Sequence, residues 1–476
     1  MRCLRRQLPD RSHFALIQRV MEGKKSIGIF FDRLFFIFGA IVFLIFIPFY
    51  LTRELWFDEV LTLQFAFLPN AVEIYKSYTI PNNQIIHTIA LSTLLDLGIY
   101  PETARVFPLI CGFSAIYILW RNFKREIGRY QLAVALAALV ISPVFMLYAT
   151  ALRGYMLAAL FTVSALCCGK KYALGGRARM LVLWFVFSPL AVGVMPAALA
   201  GIAASGLYIA PYCGKNFWKN KKLYLLAISP FAGFLLFYLP IADKLVKAFD
   251  LKEGWHHAGF ALLAVATGVA VTFFVPLISG AFFHRPKLRN WTRTLIWFIP
   301  LAGVFMPVAP FPRVYFVLFP VFALLCGTYL RRAGAVSLKV IAVITMLWGC
   351  ATLPECSRKL LSPAVSSAGQ DDFFAPRFAC RVFSPHLTAT AVEKYGRTRV
   401  FVSFEADPFA MMYAVGGKAE VIPDIPAGKV TRLADDSLVI LAAEESKEAF
   451  ESRFNGTLEP LEKNALHQIF RLKNNF

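Results

Sequence analysis

The chain has 476 residues, 58% of them hydrophobic and 17% charged, with a mean hydropathy of +0.59, which excludes an ordinary soluble domain and indicates a polytopic membrane protein. The formal charge of +21 would suit nucleic acid in a soluble protein, but residues 355–476 hold 15 Lys and Arg against 16 Asp and Glu. The membrane part therefore carries +22, placed in short loops between apolar runs, which is the positive-inside pattern and not a nucleic-acid surface.

Residues 1–27 hold seven bases, Arg2 to Lys25, against Asp10 and Glu22, and the run from Leu34 to Tyr50 is almost wholly apolar. This pattern predicts an uncleaved signal anchor with its amino end in the cytoplasm. Residues 52–102 then carry six acids and only two bases, Arg53 and Lys76, and so belong outside. Within them, 84–97 predicts a helix too short to cross about 30 Å of hydrocarbon, so it is expected to lie along the outer surface beside Asp58 and Glu59.

Spans are predicted at 104–120, 131–147, 154–168, 181–195, 197–212, 223–240, 259–283, 294–308, 314–330 and 338–353. With the first run they make about eleven, within a range of 10 to 13, and this count puts every basic loop on the cytoplasmic side. The expected organisation is a basic leader (1–27), a transmembrane domain (28–353) and a soluble extracytoplasmic α/β domain (354–476). In that last part 399–404 and 437–441 predict strands, and 447–454 predicts a helix. None of the nine cysteines has metal-site spacing, and a Cys356–Cys380 bridge is allowed if the tail is outside. Asn455-Gly456-Thr457 fits a glycosylation triplet of a kind common by chance.

The sequence lacks a Gly-rich phosphate loop, and the cytoplasmic loops are too short for a nucleotide domain. Charged residues deep in the spans are nearly absent, which argues against an ion-coupled transporter. Polar chemistry collects instead on the outer side: Asp58 and Glu59, Asn82, Asn83 and His87, Glu102 and Arg105, Tyr148, Arg153 and Tyr155, His256 and His257, Arg313 and Tyr315. Asn83 and His87 are four apart and share a helix face. Arg153 and Arg313 each stand at the outer mouth of a span, where a guanidinium snorkels or meets an anion.

Several of these segments, taken in order, resemble the GT-C superfamily of membrane glycosyltransferases, especially its protein O-mannosyltransferase and aminoarabinose-transferase branch. Trp56-Phe57-Asp58-Glu59-Val60 is similar to the acidic motif of the first extracytoplasmic loop, and Asn82-Asn83-Gln84-Ile85-Ile86-His87 to the juxtamembrane segment that follows. Glu102 to Pro108 and Tyr148 to Tyr155 resemble the entry to the second span and the exit from the third. Phe311-Pro312-Arg313-Val314-Tyr315 resembles the late Arg-Tyr element, with Val314 intervening. The likeness covers residues 30 to about 330.

The resemblance implies an all-α GT-C-type membrane fold with juxtamembrane helices in the first outer loop. It also implies an inverting transferase that moves a sugar from a polyprenyl-phosphate carrier to a lipid, glycan or protein acceptor, at the outer face of the plasma (inner) membrane. Asp58 is the expected base, and Glu59 is expected to position the acceptor or to make Asp58 a better proton acceptor by like-charge repulsion. Arg153, Arg313 and Tyr315 are expected at the donor phosphate, and Asn83, His87, Arg105 and Tyr155 at the acceptor or sugar. No cofactor is firmly implied. Related oligosaccharyltransferases use a divalent cation and mannosyltransferase-like relatives do without, while Asp58 and Glu59 alone supply too few oxygens for a closed site. The competing readings are a flippase or exporter of a lipid-linked or polar lipid, and a non-catalytic anchor displaying the tail.

Overall fold

A computed structural model describes residues 37, 39–52, 57–77, 84–99, 101–213, 221–243, 258–283, 291–305, 312–361, 394–396, 399–403, 420–423, 437–442, 446–454, 456–463 and 467–474. Asn82, Asn83, His256, His257, Cys380 and Asn455 lie outside them, and so do the expectations attached to those residues.

The membrane part is helical. The apolar helix α1 (Gly39–Thr52) is followed in the first loop by α2 (Phe57–Ala66), α3 (Ala71–Lys76), α4 (Ile85–Asp96) and the single turn α5 (Pro101–Ala104). Next come α6 (Val106–Ile127), α7 (Arg129–Val140), α8 (Pro143–Ala149), α9 (Tyr155–Gly175), α10 (Ala178–Val194), α11 (Ala198–Ile209) and α12 (Lys221–Tyr238). After α13 (Ala258–Phe283), the turn α14 (Trp291–Thr294) runs into a 3₁₀ segment over Leu295–Phe305. A 3₁₀ segment over Pro312–Leu318 leads into α15 (Phe319–Tyr329), and α16 (Ala335–Leu361) closes the bundle. Among the described residues five helices are long and apolar enough to cross a membrane, and α7 with α8 would make a sixth.

Two departures from the predicted spans have local causes. The run 131–147 is not one straight helix, because α7 and α8 meet at 66°. Pro143 disfavours helical backbone at the residue before it, and Ser142 is accordingly extended at φ −78° and ψ 146°. The Ser142 hydroxyl then donates to the Leu139 carbonyl at 2.7 Å and accepts the Phe145 N–H at 3.1 Å, so the break restores the hydrogen bonds it interrupts. In the predicted run 294–308 the apolar pattern is present, but Leu295–Phe305 winds as a 3₁₀ helix containing Pro300. Hydropathy does not encode that tighter winding.

The core lies where α9, α11 and α15 meet α6 and α7, with Phe123, Leu166, Phe319 and Leu325 fully buried. Helices α10 and α12 are joined by polar staples of the kind that bilayer packing favours. The Trp184 indole donates to the Leu226 carbonyl at 3.0 Å, the Ser188 and Ser229 hydroxyls lie 2.6 Å apart, and the Tyr238 hydroxyl donates to the Val192 carbonyl at 3.1 Å.

In the tail the strands β1 (Arg399–Val402), β2 (Glu420–Pro423), β3 (Leu438–Ala442), β4 (Gly456–Lys463) and β5 (His467–Asn474) form one sheet, ordered β2-β1-β3-β5-β4. β1 runs parallel to β2 and β3, whereas β5 runs antiparallel to β3 and β4. Helix α17 (Lys447–Phe454) covers this sheet through Phe450, whose ring centroid is 5.3 Å from that of Phe401. A Val or Phe at alternate strand positions therefore builds a small core of its own, apart from the membrane helices.

The approach of α10 to α12 depends on Gly233, because a Cβ there would fall 2.5 Å from the Pro189 Cα. Gly233→Ala is expected to force the two helices apart and cost about 1–3 kcal/mol. Gly206→Ala, where the added carbon meets nothing within 4 Å apart from its own helix backbone and chain neighbours, is expected to stabilise by up to about 1 kcal/mol. Thermal unfolding of the two purified variants in detergent checks the difference, and equal midpoints would remove the close-packing argument.

Candidate functional site

Asp58 and Glu59 occupy the first turn of α2, so both acids sit at the positive end of the helix dipole. Consecutive residues on a helix project about 100° apart, and the two carboxylates meet different partners. Asp58 accepts from Arg313, with Oδ2 and Nη2 3.0 Å apart. Glu59 takes a forked pair from Arg105, at 3.3 Å from Nε and 3.0 Å from Nη2, and also accepts the Leu152 N–H at 2.8 Å. Arg105 spends a further donor on the Leu51 carbonyl at 2.9 Å, which ties the end of α1 to the start of α6.

Arg153 stands in the turn between α8 and α9. Its Nη1 donates to the Asp58 carbonyl at 3.2 Å and to the Thr62 hydroxyl at 2.7 Å, while that hydroxyl donates to the same Asp58 carbonyl at 2.8 Å. All five charged side chains are buried, with Glu59 0% and Arg153 1% exposed. Among the described residues this leaves three guanidinium groups against two carboxylates. Buried away from water, these charges act on one another, and on any anion that reaches them, more strongly than they would in solvent.

Aromatic rings wall the cluster. Tyr148 packs edge-on against Tyr155 at 5.0 Å and tilted against Phe316 at 5.3 Å, and the Arg153 guanidinium lies 5.9 Å from the Tyr155 ring. Tyr155 and Arg105, both predicted from sequence, are therefore adjacent to the acid pair, but Arg105 is taken up by Glu59. Tyr315 is buried in the apolar core two residues beyond Arg313. In a 3₁₀ segment two residues are about 240° apart, so those side chains leave the backbone in different directions.

His87 lies on α4, whose 12 residues reach only about 18 Å and so fall short of a span. The imidazole is fully buried, neither ring nitrogen has a hydrogen-bond partner, and its ring is 5.8 Å from Phe107. Burial first, and the charge of Arg153 second, bring its pKa down to about 3 from an ordinary 6.5. It is therefore neutral at pH 7 and offers one donor and one acceptor to whatever reaches it.

Three residues of this site were not anticipated. Thr62 is four positions after Asp58, a spacing that signals a shared helix face. Gln84, at the start of α4, accepts the Gly154 N–H through its side-chain oxygen. Gly154 permits that contact, since a Cβ would lie 3.0 Å from both Gln84 Oε1 and His87 Cβ and 2.6 Å from Val194. Among the described residues no three His, Cys, Asp or Glu side chains come together as metal ligands.

No protein-family model matches this sequence, and no curated protein matches it either. Among solved structures the chain is similar to ArnT from Cupriavidus metallidurans in the apo state, with 14% identity and a TM-score of 0.56 over 91% of this chain and 97% of that one. The crystal structure of ArnT bound to undecaprenyl phosphate gives the same coverage and TM-score at 12% identity. At such identity the likeness is one of fold: the chain shares the helical architecture of ArnT, with several helices apolar and long enough to cross a membrane.

Removing one partner of the Glu59–Arg105 pair strands a buried charge, so Glu59→Leu and Arg105→Met are each expected to cost about 3–5 kcal/mol. The double variant is expected to lose clearly less than the sum, and additive losses in thermal unfolding would deny the coupling. For His87 the unfolded chain takes up a proton below pH 6.5, whereas the folded chain resists until about pH 3. Stability is therefore lost as pH falls through that window. His87→Phe is expected to show a smaller drop in unfolding temperature between pH 7.5 and 5 than the native protein, and equal drops would refute the buried neutral imidazole.

Proposed function

We propose that this protein is an inverting glycosyltransferase of the membrane, moving a sugar from a polyprenyl-phosphate carrier to a lipid, glycan or protein acceptor on the extracytoplasmic face. The observation that carries the reading is the Asp58–Arg313 contact of 3.0 Å, with Arg153 bound to the same turn of α2. A proton acceptor and three guanidinium groups share one buried place. The fold likeness to ArnT, one of whose structures holds undecaprenyl phosphate, supports a lipid-phosphate donor.

In the proposed reaction an acceptor hydroxyl or amine attacks the anomeric carbon from the face opposite the phosphate. The bond between that carbon and the phosphate oxygen breaks as the new one forms, so the configuration inverts. Asp58 takes the acceptor proton. The bond electrons leave with the polyprenyl phosphate, and Arg153 and Arg313 offset its charge. A guanidinium has five N–H donors in a planar fork, which lets Arg313 hold Asp58 with one and address a phosphate with others. Glu59 serves as the partner of Arg105 and so fixes where Asp58 stands. His87 and Tyr155 flank the place for the sugar or acceptor, and Asn83 precedes the same helix.

The proposed topology has about eleven spans, the amino end in the cytoplasm, and both the 52–102 loop and the tail outside. The leader (1–27), transmembrane (28–353) and tail (354–476) divisions belong to this proposal.

Asp58→Asn keeps the shape and an acceptor for Arg313 but loses the base. In proteoliposomes supplied with a matched polyprenyl-phosphate sugar, kcat is expected to fall about 10²–10⁴-fold with little change in the donor KM. Turnover near the native level would sink the assignment of the base.

A further inference from the structure

The far end of the bundle carries a second feature that the proposed chemistry does not use. An apolar groove of about 620 Å³ opens between α1, α6, α7 and α16, lined by Phe43, Phe113, Tyr117, Val140 and Met346 among others. It reaches Trp120, and Trp120 also borders a recess of about 350 Å³ whose other walls are Lys124, Arg125 and Arg129. The apolar and basic spaces thus adjoin at one indole. Lys124 lies one helical turn beyond Trp120, with its ammonium 5.8 Å from the ring centre.

The acid nearest in sequence does not neutralise this recess. Glu126 is turned to the other side of α6, where Lys170 meets it at 2.5 Å and Arg293 at 3.7 Å. From Arg105 to Lys124 is 19 residues of α6, a rise of about 28 Å, close to the thickness of the hydrocarbon core. The recess therefore lies at the opposite membrane face from the acid–arginine cluster.

We infer that the groove and recess together form a binding site for an anionic glycerophospholipid, with an acyl chain along the groove and the headgroup phosphate on Lys124, Arg125 and Arg129. Charge decides the occupant. Basic pockets between spans take anionic headgroups, whereas a zwitterionic lipid gains little there. The leader cannot fill the site favourably, since its seven bases against two acids have the same sign as the recess. A symmetric second copy would bring the same three cations to face these. Only the assignment to the cytoplasmic leaflet rests on the proposed topology.

The test uses the full-length chain, reconstituted in nanodiscs of equal phosphatidylglycerol and phosphatidylethanolamine, extracted in mild detergent and weighed with its retained lipids by native mass spectrometry. The native protein is expected to retain phosphatidylglycerol preferentially. Lys124→Gln with Arg125→Gln, at positions exposed enough to tolerate the change, is expected to lower that retention about tenfold or more. Ala137→Phe, which fills the groove, is expected to lower it with the basic residues intact. Equal retention of the two lipids, unchanged retention in the double variant, or one-for-one displacement by polyprenyl phosphate would overturn the inference. Asp58→Asn is expected to retain phosphatidylglycerol as the native protein does, so failure of the transfer reading leaves this result distinguishable.

Discussion

A guanidinium buried in a membrane protein has to be met by hydrogen-bond acceptors or by an anion, and one end of this bundle is arranged around three of them. Arg105, Arg153 and Arg313 come from the entry to α6, the turn before α9 and the 3₁₀ segment before α15. All three converge on the first turn of α2. The arrangement is stable as a folded structure because Glu59 is fully satisfied by Arg105 and the Leu152 N–H, while backbone carbonyls and Thr62 take further donors.

Adjacent acids thereby acquire unlike environments. Glu59 is held from three directions and anchors α2 to the 149–155 turn and to the α1–α6 junction, whereas Asp58 faces Arg313 beside the aromatic wall. The pairing gives the two acids different partners despite their adjacency in the chain. It also explains the buried His87, whose neutrality is maintained in part by Arg153 on the far side of Gly154.

Much of this was legible in the sequence. Runs of apolar residues located the helices, because twenty or so such residues have few alternatives in a bilayer. The acid pair and the outer arginines stood out because charge is rare next to such runs. What could not be read was which arginine meets which acid: Glu59 and Arg105 are 46 positions apart, and the Glu59 contact to Leu152 spans 93. Those pairings follow from packing, not from local pattern. The bent α7–α8 pair and the 3₁₀ windings were likewise invisible to hydropathy, although Pro143 and Pro300 mark both places.

The 66° bend at Ser142 has a consequence for depth. Carried straight on from α7, the 7 residues of α8 would advance about 10 Å along the helix axis. Turned through that angle they advance only about 4 Å along that axis, so the turn that carries Arg153 begins roughly 6 Å short of where an unbroken helix would place it. That shortening leaves the Arg153 guanidinium within reach of the Asp58 carbonyl and the Thr62 hydroxyl.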